Sequence, residues 1–184
     1  MNAATLRIWI ALAAISTVLC LFVNLAVQQN FRMSGDDPQT QLAQDAATAL
    51  AQNRRVTLTN AMVDIAHSLS PWVAVYDASG RALMSSGQLD GNPPSLPDGV
   101  FAAVRSRGEN RITWQPERGI RVATIVEFVA APHARYVVSG RSLREIETRV
   151  ENLNRITIAS WIAILLLSLI LARQLTPGRK KGSA

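Results

Sequence analysis

The sequence predicts an α+β protein: an antiparallel sheet with long N-terminal helices, flanked along the chain by two transmembrane helices. Two apolar segments, Ile8 to Val27 and Ile156 to Ala172, enclose a polar stretch of 128 residues that contains all 13 acidic residues. Inside this stretch, apolar residues first recur at helical spacing and later form short β-rich runs between turn residues. This order of patterns predicts the fold class.

The two apolar segments are long enough to cross a bilayer. The first has 20 residues, with Ser16, Thr17 and Asn24 as its polar members, so a helix over it would span about 30 Å. The second has 17 residues between Arg155 and Arg173, whose side chains can extend to the membrane surface. A cleaved signal peptide is the alternative for the first segment, but no small-x-small cleavage site follows it.

Positive charges near the ends of the segments predict the topology. Arg7 precedes the first segment, and four basic residues follow the second, beginning at Arg173, which places both termini in the cytoplasm. We therefore expect a two-span protein of the cell membrane, the inner membrane of a bacterium, with a periplasmic or extracellular central domain. The predicted parts are a cytoplasmic N terminus (1–7), a first transmembrane helix (8–27), the extracytoplasmic domain (28–155), a second transmembrane helix (156–172) and a basic cytoplasmic tail (173–184).

The composition argues against several functions. The net charge is +6, but residues 28–155 hold 14 arginines against 13 acids, so the excess lies in the tails, where membrane topology explains it. Nucleic-acid binding is therefore not expected. The only cysteine, Cys20, lies in the first apolar segment, and two histidines, His67 and His133, are too few for a metal site. Since no catalytic motif is present either, we expect no metal, no cofactor and no enzyme activity.

Two helices are predicted at the start of the domain. Pro38 suits the first turn of a helix, which then continues to Leu50. The narrow alanine face of this helix could contact a second copy in a homodimer, or it could pack on the protein's own sheet. A second helix is predicted before Ser70-Pro71, with an apolar face made of Leu58, Met62, Ile65 and Leu69.

The sheet is predicted to begin with a hairpin and to continue after a loop and a short helix. Asp77 is expected to bond its own turn, and the glycine-rich and proline-rich loop from Gly87 to Gly99 is expected to lack regular structure. Gly108 is expected to end the short helix. The predicted elements are the strands Trp72 to Tyr76 and Arg81 to Met84, the helix Val100 to Arg107, and the strands Asn110 to Trp114, Ile120 to Val129 and Arg135 to Gly140.

The last predicted element is a helix capped by Ser142 that continues into the second apolar segment. Ile146, Val150 and Leu153 repeat at helical spacing, and no glycine or proline lies between Arg141 and Ala172. A rigid helix of this kind can transmit a movement through a membrane, whereas a flexible linker would dissipate it. The alternative is that the helix only tethers the domain.

Two segments of the domain resemble a known family. Val73 to Arg81 and Tyr136 to Leu143 are similar to the first hairpin, and to the last strand with its exit helix, of the extracytoplasmic PAS-like sensor domains, often called Cache or PDC domains, of bacterial receptor histidine kinases and chemoreceptors. The order of span, helices, hairpin, short helix, three strands, helix and span extends this resemblance over nearly the whole chain. It implies a PAS-like sheet that binds a small molecule and a signal that passes through the second span.

The residues after the second apolar segment resemble the entrance to a HAMP linker of receptor kinases. This resemblance is carried by Arg173-Gln174-Leu175-Thr176-Pro177. Twelve residues after Ala172 are too few for a HAMP helix pair or a kinase, so we expect a separate kinase or membrane partner to receive any signal.

Five residues are candidates for a ligand site. The resemblance implies a ligand against one face of the sheet, and arginine suits carboxylate or phosphate ligands. Strand alternation places Arg121 and Glu127 on one face, with Arg141 of the last strand, although these residues could equally form the solvated face of an amphipathic sheet. Tyr76 and Trp114 are candidates for the pocket wall, or else core aromatics.

The sequence therefore favours a kinase-less, membrane-anchored sensor that binds a small molecule and passes a signal through its second span to a separate partner. The alternative is a non-sensing envelope assembly or accessory protein that binds another membrane protein through an exposed apolar patch. The expected partners are the lipid bilayer, a second copy in a homodimer, an unidentified small molecule and the partner that receives the signal.

Overall fold

The computed structural model describes residues 3–35, 37–58, 61–132 and 136–175. These residues divide into two compact units. The helical unit comprises the described residues up to Phe31 and from Thr148, and the sheet unit runs from Arg32 to Glu147. The described residues form an α+β structure with an antiparallel sheet, which confirms the predicted fold class at that level.

The helical unit is built from two long helices, α1 (Ala3–Gly35) and α4 (Arg144–Leu175), of which α4 begins in the sheet unit. Each contains a stretch that is long and apolar enough to cross a membrane. Its apolar side chains face outward, since Ile15 and Phe22 are 67% and 70% exposed. The uninterrupted course of α4 confirms the continuous helix that the sequence predicts.

Two tryptophans join the helices of this unit by hydrogen bonds. The indole nitrogen of Trp161 donates to Oγ1 of Thr17 at 2.9 Å, and that of Trp9 donates to the Leu165 carbonyl oxygen at 3.3 Å. In an apolar environment such bonds are needed, because a polar group without a partner is costly there. The two helices therefore form a specific pair.

The sheet unit contains one five-stranded antiparallel sheet and a small parallel pair of strands. The order in the large sheet is β3-β2-β7-β6-β5, and β1 pairs with β4. A helix lies before the strands and another in the middle of them. The bounds are α2 (Asp37–Ala51), β1 (Val63–Asp64), β2 (Trp72–Tyr76), β3 (Ala82–Ser85), β4 (Gly87–Gln88), α3 (Val100–Arg107), β5 (Glu109–Glu117), β6 (Ile120–Phe128) and β7 (Tyr136–Ser142).

The β2–β3 hairpin is confirmed, and its turn is made by Asp77. The Asp77 carboxylate accepts hydrogen bonds from the backbone N–H groups of Ser79 at 2.9 Å and Arg81 at 3.0 Å. The Ser79 hydroxyl donates to the same carboxylate. This bond, followed by the backbone bonds, lowers the pKa of Asp77 to about 2. Gly80 follows with φ +82°, which a glycine adopts without steric cost.

Helix α2 covers one face of the five-stranded sheet. Ala43 and Ala46 pack against Val73, Ile125 and Val137, and all five are buried. Alanine lets the helix approach the sheet closely, so the alternative that it packs on the protein's own sheet is confirmed. Because this alanine face is covered, a homodimer would need a different surface.

The other face of the sheet carries an aromatic core centred on Trp72, which is 1% exposed. Its ring lies directly over two glycines, Gly87 and Gly140. A Cβ atom added at Gly140 would lie only 2.6 Å from Cζ2 of Trp72, closer than real Cβ contacts. Gly140 is therefore required by the approach of the indole to strand β7.

The second predicted helix, with Leu58, Met62, Ile65 and Leu69 on one face, is wrong. Among the described residues of this segment, Val63 and Ile65 are buried, whereas Met62 is 57% exposed. The backbone N–H groups of Val63 and Ile65 donate to the carbonyl oxygens of Ser86 and Gln88. Pairing with a distant segment thus replaces the helix. Among the described residues before β1, the sheet unit has α2, of 15 residues, in place of the two long helices that the sequence predicts.

The remaining predictions of elements are close to the structure. Helix α3 is confirmed, and Gly108 ends it with φ +84°. The loop that was expected to lack regular structure contains β4, because Gly87 and Gln88 pair with β1. Strand β5 extends beyond its predicted end at Trp114 to Glu117, since a bulge after Trp114 allows the ladder to continue. His133 and Arg135 lie outside the described residues.

Candidate functional site

The sheet separates the five residues that the sequence predicts as a ligand site. Tyr76 and Trp114 belong to the aromatic core on one face. Arg121, Glu127 and Arg141 lie on the other face, which α2 covers. The alternation of side chains along β6 places Arg121 and Glu127 on this face, and the pairing of Ala123 with Arg141 places Arg141 there too. Glu127 lies opposite Val137, about 13 Å along the strand from Arg141 at about 3.3 Å per residue. Their role in binding stays a prediction, and they do not line one cavity together.

Two of the five residues bind the first turn of helix α4. Nη1 of Arg121 lies 2.6 Å from Oε1 of Glu147, and Nη2 of Arg141 lies 2.7 Å from Oε2 of Glu145. Arg141 also donates from Nε to the Leu69 carbonyl oxygen at 3.2 Å. Both arginines therefore connect the sheet to the beginning of the helix.

Backbone contacts complete this connection. The Leu143 N–H donates to the Arg121 carbonyl oxygen at 2.8 Å, and Nη2 of Arg144 donates to the His67 carbonyl oxygen at 2.6 Å. The Ser142 hydroxyl accepts from the Arg144 N–H at 3.3 Å, which confirms the predicted cap. We name Arg121, Arg141, Arg144, Glu145 and Glu147 the junction cluster.

The ion pairs of the junction cluster can hold the start of helix α4 in place. Its two carboxylates lie in the first turn of α4, where the helix dipole favours negative charge. The side chains of Arg121 and Arg141 are 50% and 22% exposed, so each ion pair contributes at most about 1 kcal/mol. The cluster thus fixes the orientation of the first turn more than it stabilises the fold.

A polar cleft of about 140 Å³ lies beside this face, between the start of α2 and strands β5 and β6. We name it the α2 cleft. Gln39 and Thr40 line it from the helix, and Arg111 and Thr113 line it from β5. Ligand sites for large molecules usually have about 300 to 1,000 Å³, so the α2 cleft suits a small polar molecule. None of these four residues is among the candidates predicted from the sequence, although Arg111 and Thr113 alternate on one face of a strand.

Arg111 places a guanidinium in the lining of the α2 cleft. Its Nε lies 2.7 Å from Oε1 of Glu109, so the guanidinium is already bound to one carboxylate. The arginine side chain is 54% exposed, which leaves its face accessible to solvent. An anionic ligand could therefore bind Arg111 by exchanging with Glu109 or by sharing the guanidinium.

Glu127 lies next to this pair, directly opposite Glu109 in the β5–β6 ladder. Its Oε1 atom is buried and has no hydrogen-bond partner among the described residues. Burial, and then the charge of Glu109, raise the pKa of Glu127, while Arg111 lowers it. Glu127 is thus an acid whose charged form is disfavoured in the folded state.

Replacing Glu127 by glutamine is expected to stabilise the protein at neutral pH. A raised pKa means that the folded state holds the proton more tightly than the unfolded state, so stability falls as the pH rises from the ordinary value of 4.5 through the folded pKa. Glu127→Gln removes this loss. We expect its melting temperature to exceed that of the wild type by about 1–3 °C at pH 7, with a smaller difference at pH 4. Glu117→Gln, at an exposed position of β5, is the control, and a constant difference across the pH range would contradict the prediction.

Tyr76 and Trp114 are packed as core residues. The Tyr76 hydroxyl donates to the Pro94 carbonyl oxygen, and burial raises the pKa of this phenol. Trp114 is 6% exposed and packs edge to face on Trp72 at 6.5 Å between ring centroids. Phe101 stacks between Tyr76 and Tyr136. These contacts fill the aromatic face with protein side chains.

Metal-ligating residues do not cluster in the part of the chain that the structure describes. His67 pairs with Asp64, whose carboxylate lies 2.9 Å from Nδ1, and both side chains are largely exposed. This pair lies in a surface turn and has no third ligand among the described residues.

The chain matches no protein-family model, no curated protein and no solved structure. A function for this chain can therefore be proposed only from its sequence and from the geometry of the described residues.

Proposed function

We propose that this chain is a membrane-anchored, extracytoplasmic sensor module without an enzyme activity of its own. In this proposal α1 and α4 cross the bilayer, both termini are cytoplasmic, and the sheet unit is a PAS-like domain on the outer side. The single observation that carries it is helix α4, which begins in the junction cluster of the sheet unit and continues without a break through an apolar segment. Protease digestion of membrane vesicles of each orientation tests the topology.

The fold of the sheet unit supports the PAS-like class. A hairpin, a short helix, three antiparallel strands and an exit helix follow each other in the order on which the resemblance rests. The last of these strands, β7, lies at the centre of the sheet and leads directly into α4. A change at the sheet would therefore reach the helix through Arg121 and Arg141, and a separate kinase or membrane protein would receive it.

The α2 cleft is the ligand site in this proposal, and a small anion is its ligand class. A carboxylate is the proposed class because the lining of the cleft includes the guanidinium of Arg111 and the polar residues Gln39 and Thr113, and a guanidinium can bind a carboxylate in exchange for its present partner. Strand β6 lines the cleft with Ala123 and also carries Arg121 of the junction cluster two residues away. Binding could thus alter the position of β6 and, with it, the start of α4.

A thermal-shift experiment tests the sensor proposal. The full-length chain in lipid nanodiscs is melted, with circular dichroism as the signal, in the presence of amino acids, organic acids and inorganic anions. A ligand at a hundred times its dissociation constant adds about 2.7 kcal/mol, which is several degrees for a domain of this size. Arg111→Ala is expected to abolish this shift, because it removes the charged group of the cleft.

Arg118→Ala is the matched control, since Arg118 is an exposed arginine in the turn after β5. Loss of the shift in both variants would show that net charge, and not the cleft, determines binding. A chain that no compound stabilises would contradict the sensor proposal.

A second candidate function is assembly with another envelope protein. It is favoured by β3, which lies at the edge of the sheet and carries two large exposed apolar residues, Leu83 and Met84, at 45% and 39% exposure. An edge strand of this kind can pair with a strand of a partner. Crosslinking from β3 in membranes would identify such a partner.

A further inference from the structure

Four polar side chains join α1 and α4 at one end of their apolar segments. Nδ2 of Asn24 donates to Oδ1 of Asn154 at 3.1 Å and to Oγ1 of Thr157 at 3.2 Å. Nε2 of Gln28 donates to Oδ1 of Asn24 at 2.7 Å and to Oδ1 of Asn154 at 2.8 Å. We name Asn24, Gln28, Asn154 and Thr157 the carboxamide cluster.

The carboxamide cluster does not use its full capacity for hydrogen bonds. Asn154 accepts two bonds at its oxygen, but its two amide hydrogens have no partner among the described residues. The side-chain oxygen of Gln28 likewise accepts no bond from any described group, while both of its amide hydrogens donate. The two amide hydrogens of Asn154 and the side-chain oxygen of Gln28 thus remain at the edge of an apolar helix pair. Hydrogen bonds from another molecule to these groups are favourable there.

These groups lie at one end of an open groove between the two helices. The groove has about 460 Å³ and descends from Asn24 and Asn154 past Cys20 to Thr17 and Trp161. From Thr17 to Asn24 it extends about 10 Å along α1, at about 1.5 Å per residue. A groove of this length and lining fits a helix that carries both a donor and an acceptor.

A second copy of this chain offers that complement. Two identical chains with the same orientation in a membrane meet about a two-fold axis along the membrane normal, which places equal depths opposite each other. The remaining donors of Asn154 then face the remaining acceptor of Gln28 of the second copy, and the reverse contact forms at the same time.

We propose that the groove between α1 and α4 is a dimer interface, in which Asn154 of each copy donates hydrogen bonds to Gln28 of the other. This interface rests on the membrane-spanning part of the proposed function and is independent of any ligand in the α2 cleft. It differs from the surface considered in the sequence analysis, because the alanine face of α2 is covered by the sheet.

Oxidative crosslinking of the full-length chain in membranes tests the interface. Cys20 is the only cysteine and lies in the groove, so two copies are expected to form a disulfide-linked dimer of twice the 20.0 kDa chain mass. Phe22→Cys in a Cys20→Ser background places the thiol at nearly the same depth but on the opposite side of α1, where Phe22 is 70% exposed. Much less dimer is expected from position 22, and equal crosslinking at both positions would overturn the proposal.

A substitution of Asn154 gives an independent test. Asn154→Leu is expected to weaken dimerisation by about three- to tenfold in a lipid-dilution series, because two symmetric contacts lose their donors. Asn152→Leu makes the same chemical change at an exposed position two residues away and is the matched control. Equal losses in the two variants would overturn the proposal.

Alkaline carbonate extraction separates the possible failures. A chain that stays in the membrane pellet but yields only monomer overturns the dimer interface and leaves the two spans intact. A chain that is released into the supernatant overturns both proposals. A disulfide between Cys20 and a protein of another mass, in place of the dimer, would overturn the proposal, because a different protein would then occupy the groove.

Discussion

Trp72→Ala is expected to lower the free energy of unfolding of the sheet unit by about 3–5 kcal/mol, the range for deleting a fully buried tryptophan. Trp72 is 1% exposed and forms the centre of the aromatic core, between Trp114 and the glycines of β4 and β7. The cavity that it would leave is bounded by strands β2 and β7, so the sheet could collapse only partly. Urea denaturation of the full-length chain in detergent, followed by circular dichroism, measures the loss.

A double-mutant cycle between Gly140 and Trp72 measures how much of the cost of a side chain at Gly140 comes from the close approach of the indole. A Cβ atom at Gly140 would lie 2.6 Å from Cζ2 of Trp72, an atom that the smaller phenylalanine ring lacks, and 2.9 Å from Cγ1 of Val122. Gly140→Ala alone is expected to cost about 1–3 kcal/mol through overpacking. In the background of Trp72→Phe the same change should cost clearly less. Strictly additive costs would contradict this interpretation of the core.

Val150→Pro is expected to break α4 just beyond the junction cluster. Proline removes the hydrogen bond from residue 150 to the Ile146 carbonyl oxygen and its ring clashes with that carbonyl, at a cost of about 3 kcal/mol or more. Val150 lies in the interior of α4, six residues after the helix begins at Arg144. Hydrogen exchange of the amides near residue 150 should therefore accelerate by about a hundredfold or more, whereas the strands of the sheet keep their protection.

Val150→Ala is the control for this change, because alanine keeps the backbone hydrogen bond and favours the helix. If the ligand response is measured as well, the proline variant should still bind in the α2 cleft, since the cleft lies in the sheet unit. Unchanged exchange near residue 150 would contradict the continuous helix. Loss of protection throughout the sheet would mean that α4 and the sheet unfold as one cooperative unit.

Local sequence patterns predict much of the fold correctly. The β2–β3 hairpin depends on Asp77 and Gly80. The Asp77 carboxylate accepts hydrogen bonds from residues that are at most four positions later in the chain. Helix α3 ends at Gly108, and α4 begins after Ser142, where the sequence places them. In each of these elements the determining contacts are close along the chain, so a short window contains them.

The errors occur where distant segments decide the structure. The spacing of Leu58, Met62, Ile65 and Leu69 fits a helix, but the burial of Val63 and Ile65 follows from pairing with residues 86–88. A strand pair of two residues on each side has no periodicity that a sequence window could detect.

For the predicted site residues, local patterns determined the sheet face, and the role of these residues in binding stays a prediction. Alternation along β6 and β7 identified Arg121 and Arg141 as a pair on one face, which the register confirms. Their partners, Glu145 and Glu147, lie on the following helix, and strand alternation contains no information about contacts with that helix. The α2 cleft requires the packing of α2 on the sheet, so Arg111 had no visible connection to Gln39 in the sequence.

The distribution of the four tryptophans gives this protein two built-in optical reporters. Trp9 and Trp161 belong to the helical unit and are bonded across the helix pair, whereas Trp72 and Trp114 are enclosed in the core of the sheet unit. If α1 and α4 cross the bilayer as proposed, brominated acyl chains would quench the fluorescence of the first pair and leave the emission of the second. The unlabelled chain can therefore report separately on changes in the helical unit and on changes in the sheet unit, from two emission spectra, one recorded with the quencher and one without it.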